Sequence, residues 1–130
     1  MPLRTYITAA ILIAAAGCGR SEPMLAGGKP VEYWIGAIKG PDSALRKKAA
    51  FKLGNVGPAD ARALPALMEA LQDSDAAVRR EAIAAVAKFG SAAKDAIPAL
   101  AELRADRDAR VRADADRASK LLDKAVVNRN

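Results

Sequence analysis

The fold is decided by residues 64–96, which read LPALMEALQDSDAAVRREAIAAVAKFGSAAKDA. The same pattern returns 33 residues earlier and 33 residues later, so that 31–63, 64–96 and 97–129 align without an insertion. A fixed period of this length is typical of a solenoid, in which each repeat packs on its neighbours. The columns that agree best are Trp34/Leu67/Leu100, Asp42/Asp75/Asp108, Leu45/Val78/Val111, Arg46/Arg79/Arg112 and Ala49/Ala82/Ala115.

Each row is predicted to contain two helices and no strand. In the second helix of the central row, apolar residues at positions 78, 82, 86 and 89 form one stripe at helical spacing. Asp42, Asp75 and Asp108 are predicted to cap the second helices, because a short acidic side chain accepts hydrogen bonds from free backbone N–H groups. Gly57 and Gly90 are predicted to end these helices in the left-handed conformation.

The residues Leu64-Pro65-Ala66-Leu67, followed by Asp75, Val78-Arg79, Ala82 and Gly90, resemble HEAT repeats. The short, alanine-rich form is similar to the bilin-lyase-type HEAT-like repeats. The resemblance implies an all-α fold, an α-solenoid of three antiparallel helix pairs in a right-handed superhelical stack. It covers residues 30–123, divided as 31–63, 64–96 and 97–123, and leaves a C-terminal tail at 124–130.

The two ends of the array depart from the central repeat. Trp34 occupies a leucine column and is predicted to plug the N-terminal end. Arg104 and Asp116 replace the apolar residues Leu71 and Ile83 one period earlier. Because both changes put charge where a following repeat would pack, we predict a C-terminal cap at which the array ends.

Residues 1–17 differ from the rest of the chain. A basic start at Arg4 is followed by an uncharged stretch over 6–16, which suits the apolar region of a signal peptide. The stretch ends Ala15-Ala16-Gly17-Cys18, which resembles the lipobox of bacterial lipoproteins. The resemblance implies lipidation of Cys18, a location in the cell envelope outside the cytoplasm and, from Gly19, the periplasmic face of the outer membrane. An ordinary signal peptide and an uncleaved apolar helix are the alternatives.

Residues 18–29, rich in glycine and polar side chains, are predicted to form a flexible tether.

Composition argues against an enzyme. The 130 residues contain no histidine, one cysteine and five aromatic side chains. The chain therefore lacks histidine-based acid–base catalysis, an intrachain disulfide and the usual zinc ligands, and we predict neither a cofactor nor a metal. The net charge of +6 is spread along the chain rather than clustered among aromatics, so nucleic-acid binding is not predicted.

Candidate partner-binding residues come from the basic columns and the N-terminal end. The arginine column either grips an acidic peptide or bridges to aspartates such as Asp42, Asp75 or Asp108, and the chemistry of arginine favours bridging. The basic run at 46–48 with Lys52 either contacts anionic lipid or an acidic partner, or is a solvated helix face. The candidates are Tyr33, Arg46, Lys47, Arg79, Arg80 and Arg112.

The sequence thus predicts a membrane-anchored, non-catalytic protein–protein interaction or scaffold module of the cell envelope, with an unidentified protein partner. One alternative is an accessory subunit of a bilin-lyase-like chromophore attachment enzyme or another modifying enzyme. Another is a self-associating structural lipoprotein.

Overall fold

The computed structural model describes residues 23–129, so the predicted signal segment and Cys18 lie outside the described residues. The described part is predominantly helical and confirms the predicted all-α class. Its helices are α1 Val31–Ala37, α2 Ser43–Val56, α3 Ala63–Ala70, α4 Ala76–Ala87, α5 Ile97–Leu103 and α6 Ala109–Val127. Two segments of 3-10 helix, Gly57–Ala59 and Gly90–Ala96, precede α3 and α5.

Consecutive helices pack in pairs, α1 on α2, α3 on α4 and α5 on α6. The second helices α2, α4 and α6 also pack side by side. The stripe predicted at positions 78, 82, 86 and 89 is buried, as its spacing requires. The largest fully buried side chains are Leu53, Leu67, Leu71, Ile83, Leu100 and Leu122 with Val31, Val78, Val86 and Val111.

The predicted aspartate caps are confirmed. The carboxylate of Asp42 accepts a hydrogen bond from the backbone N–H of Ala44 at 3.0 Å, and Asp75 accepts from Ala77 at 2.7 Å. Asp108 accepts from the backbone N–H of Arg110 at 2.8 Å. A cap of this kind stabilises a helix by about 1 kcal/mol. Each of these carboxylates is therefore engaged at the start of its own helix.

The glycines that follow α2 and α4 differ from the prediction in one respect. Gly57 and Gly90 have positive φ angles of 57° and 54°, as expected for glycine. However, ψ of Gly57 is −148°, far from the left-handed helical value. Pro58 follows Gly57 in the next 3-10 helix, and a proline ring disfavours helical angles in the residue before it.

Two short strands correct both the predicted tether and the absence of strands. Leu25–Ala26 (β1) pairs antiparallel with Lys29–Pro30 (β2) around Gly27 and Gly28, whose φ angles are 59° and 81°. Positive φ at both central residues is the signature of a tight hairpin turn. The hairpin therefore belongs to the folded domain, and the predicted boundary at residue 30 lies too late in the chain.

Trp34 ties this hairpin to the first helix. Its ring is 3% exposed, and its Nε1 donates a hydrogen bond of 2.7 Å to the carbonyl of Ala26, itself buried. The prediction that Trp34 is buried at this end is confirmed. Residues that the composition assigned to the flexible tether therefore cover part of Trp34.

At the other end, α6 continues to Val127, beyond the predicted boundary at residue 123. Arg104 is exposed and Asp116 half-buried at this end, and the two form an ion pair at 3.4 Å. Leu71 and Ile83, which occupy the same columns one repeat earlier, are 0% and 1% exposed. Arg104 and Asp116 thus contact solvent and each other, whereas the equivalent residues of the central repeat pack on the neighbouring repeat.

Candidate functional site

The arginine column links the turns that precede the second helices. Nε and Nη2 of Arg46 donate to the two carboxylate oxygens of Asp73 at 2.8 and 3.0 Å. Nη1 of the same side chain donates to the carbonyls of Gly40 and Pro41 at 3.0 and 3.1 Å. One guanidinium thus joins the turn before α2 to the turn before α4 in a bidentate geometry.

Arg79 makes the equivalent link between α4 and α6, and it is buried. Its Nη1 donates to the carbonyls of Asp73 and Ser74 at 2.8 and 3.2 Å, and its Nη2 donates to the carboxylate of Asp106 at 2.9 Å. The side chains of Arg79 and Asp106 are 5% and 8% exposed. Nε of Arg79 is buried without an acceptor. This pair is therefore closed to solvent and to any partner.

Arg112 is the third arginine of the column, and within the described residues it makes only the hydrogen bonds to carbonyls of its own turn. Its Nη1 donates to the carbonyls of Asp106 and Arg107 at 2.8 and 3.4 Å. The side chain is exposed, and no carboxylate pairs with it in the part of the chain that the structure describes. Of the three arginines in the column, this one alone presents its guanidinium to solvent.

These contacts bear out bridging, the interpretation that arginine chemistry favoured, for Arg46 and Arg79, and correct its aspartate partners. Arg46 and Arg79 bridge repeats, so they do not form an accessible basic row for an acidic peptide. Their partners are Asp73 and Asp106 rather than Asp42, Asp75 or Asp108. The reason is that the latter aspartates accept hydrogen bonds from their own helices.

Asp73 and Asp106 recur one period apart, and this spacing is the signal by which the sequence could have identified them as the partners. Their carboxylates also accept hydrogen bonds from the backbone N–H groups of Asp75 and Asp108, at 2.9 and 2.8 Å. Burial disfavours the charged form of each carboxyl. The hydrogen bonds from Arg46 and Arg79, the backbone N–H groups and the nearby arginine charges together outweigh burial, so the pKa values of Asp73 and Asp106 lie below the ordinary range. Both links are therefore ionic at neutral pH.

A groove of about 530 Å³ follows the second helices, chiefly between α4 and α6. Its apolar lining is mostly alanine, and Leu121 in α6 contributes a large side chain that is 60% exposed. Its polar lining consists of three cations and two carboxylates. The lining residues are Ala77, Ile83, Ala84, Ala87, Ala118 and Leu121, with Lys47, Arg80, Glu81, Asp114 and Arg117.

The charges in this groove are unevenly matched. Nε of Arg80 donates to the carboxylate of Asp114 at 2.6 Å, and Arg117 binds the same carboxylate. Burial opposes the charge of Asp114, but hydrogen bonds from Arg80 and Arg117 hold its pKa below the ordinary range. One carboxylate is thus shared by two guanidiniums, and Lys47 pairs with no acidic group between residues 23 and 129.

Phe51 and a cluster of lysines extend the surface onto α2. Phe51 is 44% exposed, with Nζ of Lys88 at 5.3 Å and Nζ of Lys52 at 5.9 Å from its ring centroid. Helix α2 contains four basic residues and no acidic residue. Phe51 stands one period before Ala84, which lines the groove, so the repeat places it on the same face. We call the groove together with Lys47, Lys48, Phe51, Lys52 and Lys88 the second-helix surface.

Tyr33 lies apart from this surface. It is 42% exposed on α1, with its ring against Trp34 and Nζ of Lys29 at 4.7 Å from its centroid. The structure therefore brings Lys47 and Arg80 together in the groove and leaves the other candidates elsewhere. Among residues 23–129, no three metal-ligating side chains gather as a metal site would require. None of the described helices is both long and apolar enough to span a bilayer.

Comparisons with known proteins agree on the fold. A family model described as HEAT repeats matches residues 31–120. No curated protein matches the chain. The crystal structure of an engineered protein superposes with a TM-score of 0.60 at 25% identity, over 73% of this chain and 46% of the engineered one. The chain thus spans less than half the length of that protein. HEAT repeats generally mediate protein–protein interaction or scaffolding.

Proposed function

The chain belongs to the HEAT-repeat family, and from this we propose that it is a non-catalytic protein-binding module held at a membrane of the bacterial cell envelope. The observation that carries the binding function is the groove along α4 and α6. It combines recessed apolar side chains and the exposed Leu121 with a charged rim. An apolar centre surrounded by polar groups is the usual anatomy of a protein interface.

The chemistry of the groove supports binding rather than catalysis. Its lining contains no hydroxyl, thiol or imidazole that could act as a nucleophile or a general base. Asp114 is hydrogen-bonded to two guanidiniums, which keep it ionised at neutral pH. The available interactions are therefore shape, apolar contact and charge.

Binding at the groove is tested with a photo-crosslinking amino acid in place of Ala84, in the full chain expressed in its own host. We expect a discrete adduct with one protein in the membrane fraction, and loss of that adduct when Leu121→Asp is added. Ala92 is a matched control, because it is also an exposed alanine but does not line the groove. Equal adducts from positions 84 and 92 would contradict the proposal.

The membrane attachment is proposed at Cys18, from the lipobox-like residues that precede it. Each buried CH₂ of an acyl chain contributes about 0.8 kcal/mol, so two or three chains give firm attachment. Because the hairpin begins at Leu25, only the stretch from Cys18 to Met24 separates the lipid from the folded domain. The seven Cα steps from Cys18 to Leu25 span at most about 25 Å. The hairpin end of the array would therefore lie close to the lipid headgroups.

We expect the intact mass of the protein from its host's membranes to begin at Cys18 and to include acyl chains. Cys18→Ser should abolish the lipid mass and release the protein from the membrane fraction. Ser21→Ala, three residues along the chain, is the control and should leave both unchanged. A wild-type mass that begins at Met1 without lipid would refute the anchor while leaving the groove experiment unaffected.

A further inference from the structure

We propose that the groove between α4 and α6 binds an acidic amphipathic segment of the partner protein. Carboxylates of the segment would lie against Lys47, Arg80 and Arg117, and an apolar side chain would pack beside Leu121. This inference rests on the protein-binding function proposed above and specifies the chemistry of its partner.

The first argument is the excess of positive charge on the second-helix surface. Six cations stand on it, Lys47, Lys48, Lys52, Arg80, Lys88 and Arg117, against the two carboxylates Glu81 and Asp114. Within the described residues the three α2 lysines form no ion pair, and both arginines share Asp114. A surface with this imbalance attracts negative charge and disfavours basic partners.

The second argument is the apolar part of the same groove. The methyl groups of Ala77, Ala84, Ala87 and Ala118 leave room for another backbone to approach closely. Leu121 projects from α6 with 60% of its surface exposed. An occupant that covers these groups needs apolar side chains on the face that contacts the helices, and acidic side chains toward the rim. An amphipathic segment has this distribution.

The shape of the surface favours a protein segment over a bilayer. Lysines around an exposed phenylalanine would also suit anionic headgroups, and the proposed anchor places the domain near them. A bilayer is flat and would contact the rim without filling a recess of about 530 Å³. A single chain segment can enter the recess and contact both the alanines and the rim.

Selection from a random peptide-display library against the full chain in detergent tests this proposal. We expect enriched peptides to combine Asp or Glu with Leu or Phe at helical spacing. A synthetic copy of one such peptide should bind about tenfold more weakly to Lys47→Glu and to Leu121→Asp, and more weakly in high salt. Lys94→Glu, an exposed charge reversal outside the groove, is the matched control and should bind normally.

The possible failures are distinct. Enriched peptides that lack acidic residues but depend on Leu121 would overturn the acidic partner and leave protein binding at the groove intact. Peptides insensitive to both groove variants would overturn the inference, whereas the crosslinking at Ala84 tests the proposed function separately. Vesicles of phosphatidylcholine with and without phosphatidylglycerol serve as a further arm, with Cys18→Ser as the protein. Binding to the anionic vesicles that Lys47→Glu abolishes, without groove-dependent peptides, would assign the surface to lipid.

Discussion

Asp106→Asn is expected to lower the free energy of unfolding by about 3–5 kcal/mol, because it leaves a buried guanidinium without its counter-charge. Arg79 is 4% exposed, and its Nε already lacks an acceptor. The asparagine amide cannot neutralise the charge of Nη2, which lies 2.9 Å from the carboxylate in the wild type. Since domains of this size are stable by about 5–15 kcal/mol, the loss is a large fraction of the total. Urea unfolding followed by circular dichroism measures it.

Two further measurements distinguish the loss of the buried ion pair from the loss of a carboxylate at an exposed position. Glu69→Gln makes the same chemical change in the exposed Lys39–Glu69 pair, whose side chains are 55% and 63% exposed, and should cost less than about 0.5 kcal/mol. The folded-state pKa of Asp106 is lowered, so its stabilisation is present above the unfolded pKa and is lost as pH falls through the folded pKa. The difference between wild type and Asp106→Asn should therefore shrink below about pH 4. Equal costs for both variants at neutral pH would contradict the explanation.

The helices and their caps could be predicted because they depend on residues that are close together in the sequence. A single apolar stripe over residues 78–89 identifies a helix face, and aspartates one period apart identify its start. The burial of Trp34 also followed from its column. These features depend either on residues a few positions apart or on the 33-residue repeat. Both can be read from the aligned repeats.

The partners of the arginine column could not be chosen from the sequence alone. The turns before α4 and α6 each offer two aspartates, for example Asp73 and Asp75, and both are close in sequence to the helix start. The choice depends on which carboxylate caps the helix and which remains free, and only the three-dimensional turn decides it. Gly40 in the first row, where the later rows have Asp73 and Asp106, was a usable signal. In the described chain no repeat precedes the first one, so no arginine of an earlier repeat is there to bind a carboxylate at position 40.

The hairpin was missed for a different physical reason. Two adjacent glycines are typical of flexible linkers, but they also supply the two positive φ angles of a tight turn. The distinction depends on a contact distant in sequence, the hydrogen bond from Trp34 to Ala26. The groove was equally hidden, because Leu121 and Arg80 belong to different helices and only their packing brings them to one recess.

Gly54→Ala is expected to destabilise the protein by about 1–2 kcal/mol, although alanine is intrinsically the better helix former by about 1 kcal/mol. Gly54 lies where α2 packs on α4. A Cβ at this position would lie 2.7 Å from the Cβ and 2.9 Å from the Cα of Ala85. Because the obstacle includes backbone, the helices must separate, and the cost of overpacking exceeds the gain in propensity. Urea unfolding again gives the change in free energy.

Gly36→Ala supplies the matched control, since Gly36 is also helical but has no neighbouring atom within 4 Å of an added Cβ. That variant should gain about 0.5 kcal/mol from helix propensity alone. The same substitution is thus expected to act with opposite sign at two glycines, and the sign depends on the contact between α2 and α4. If both variants were stabilised equally, the close approach at Gly54 would not limit the packing of the second helices. Since these helices form the second-helix surface, the position of Lys47 relative to Arg80 depends on the same contact.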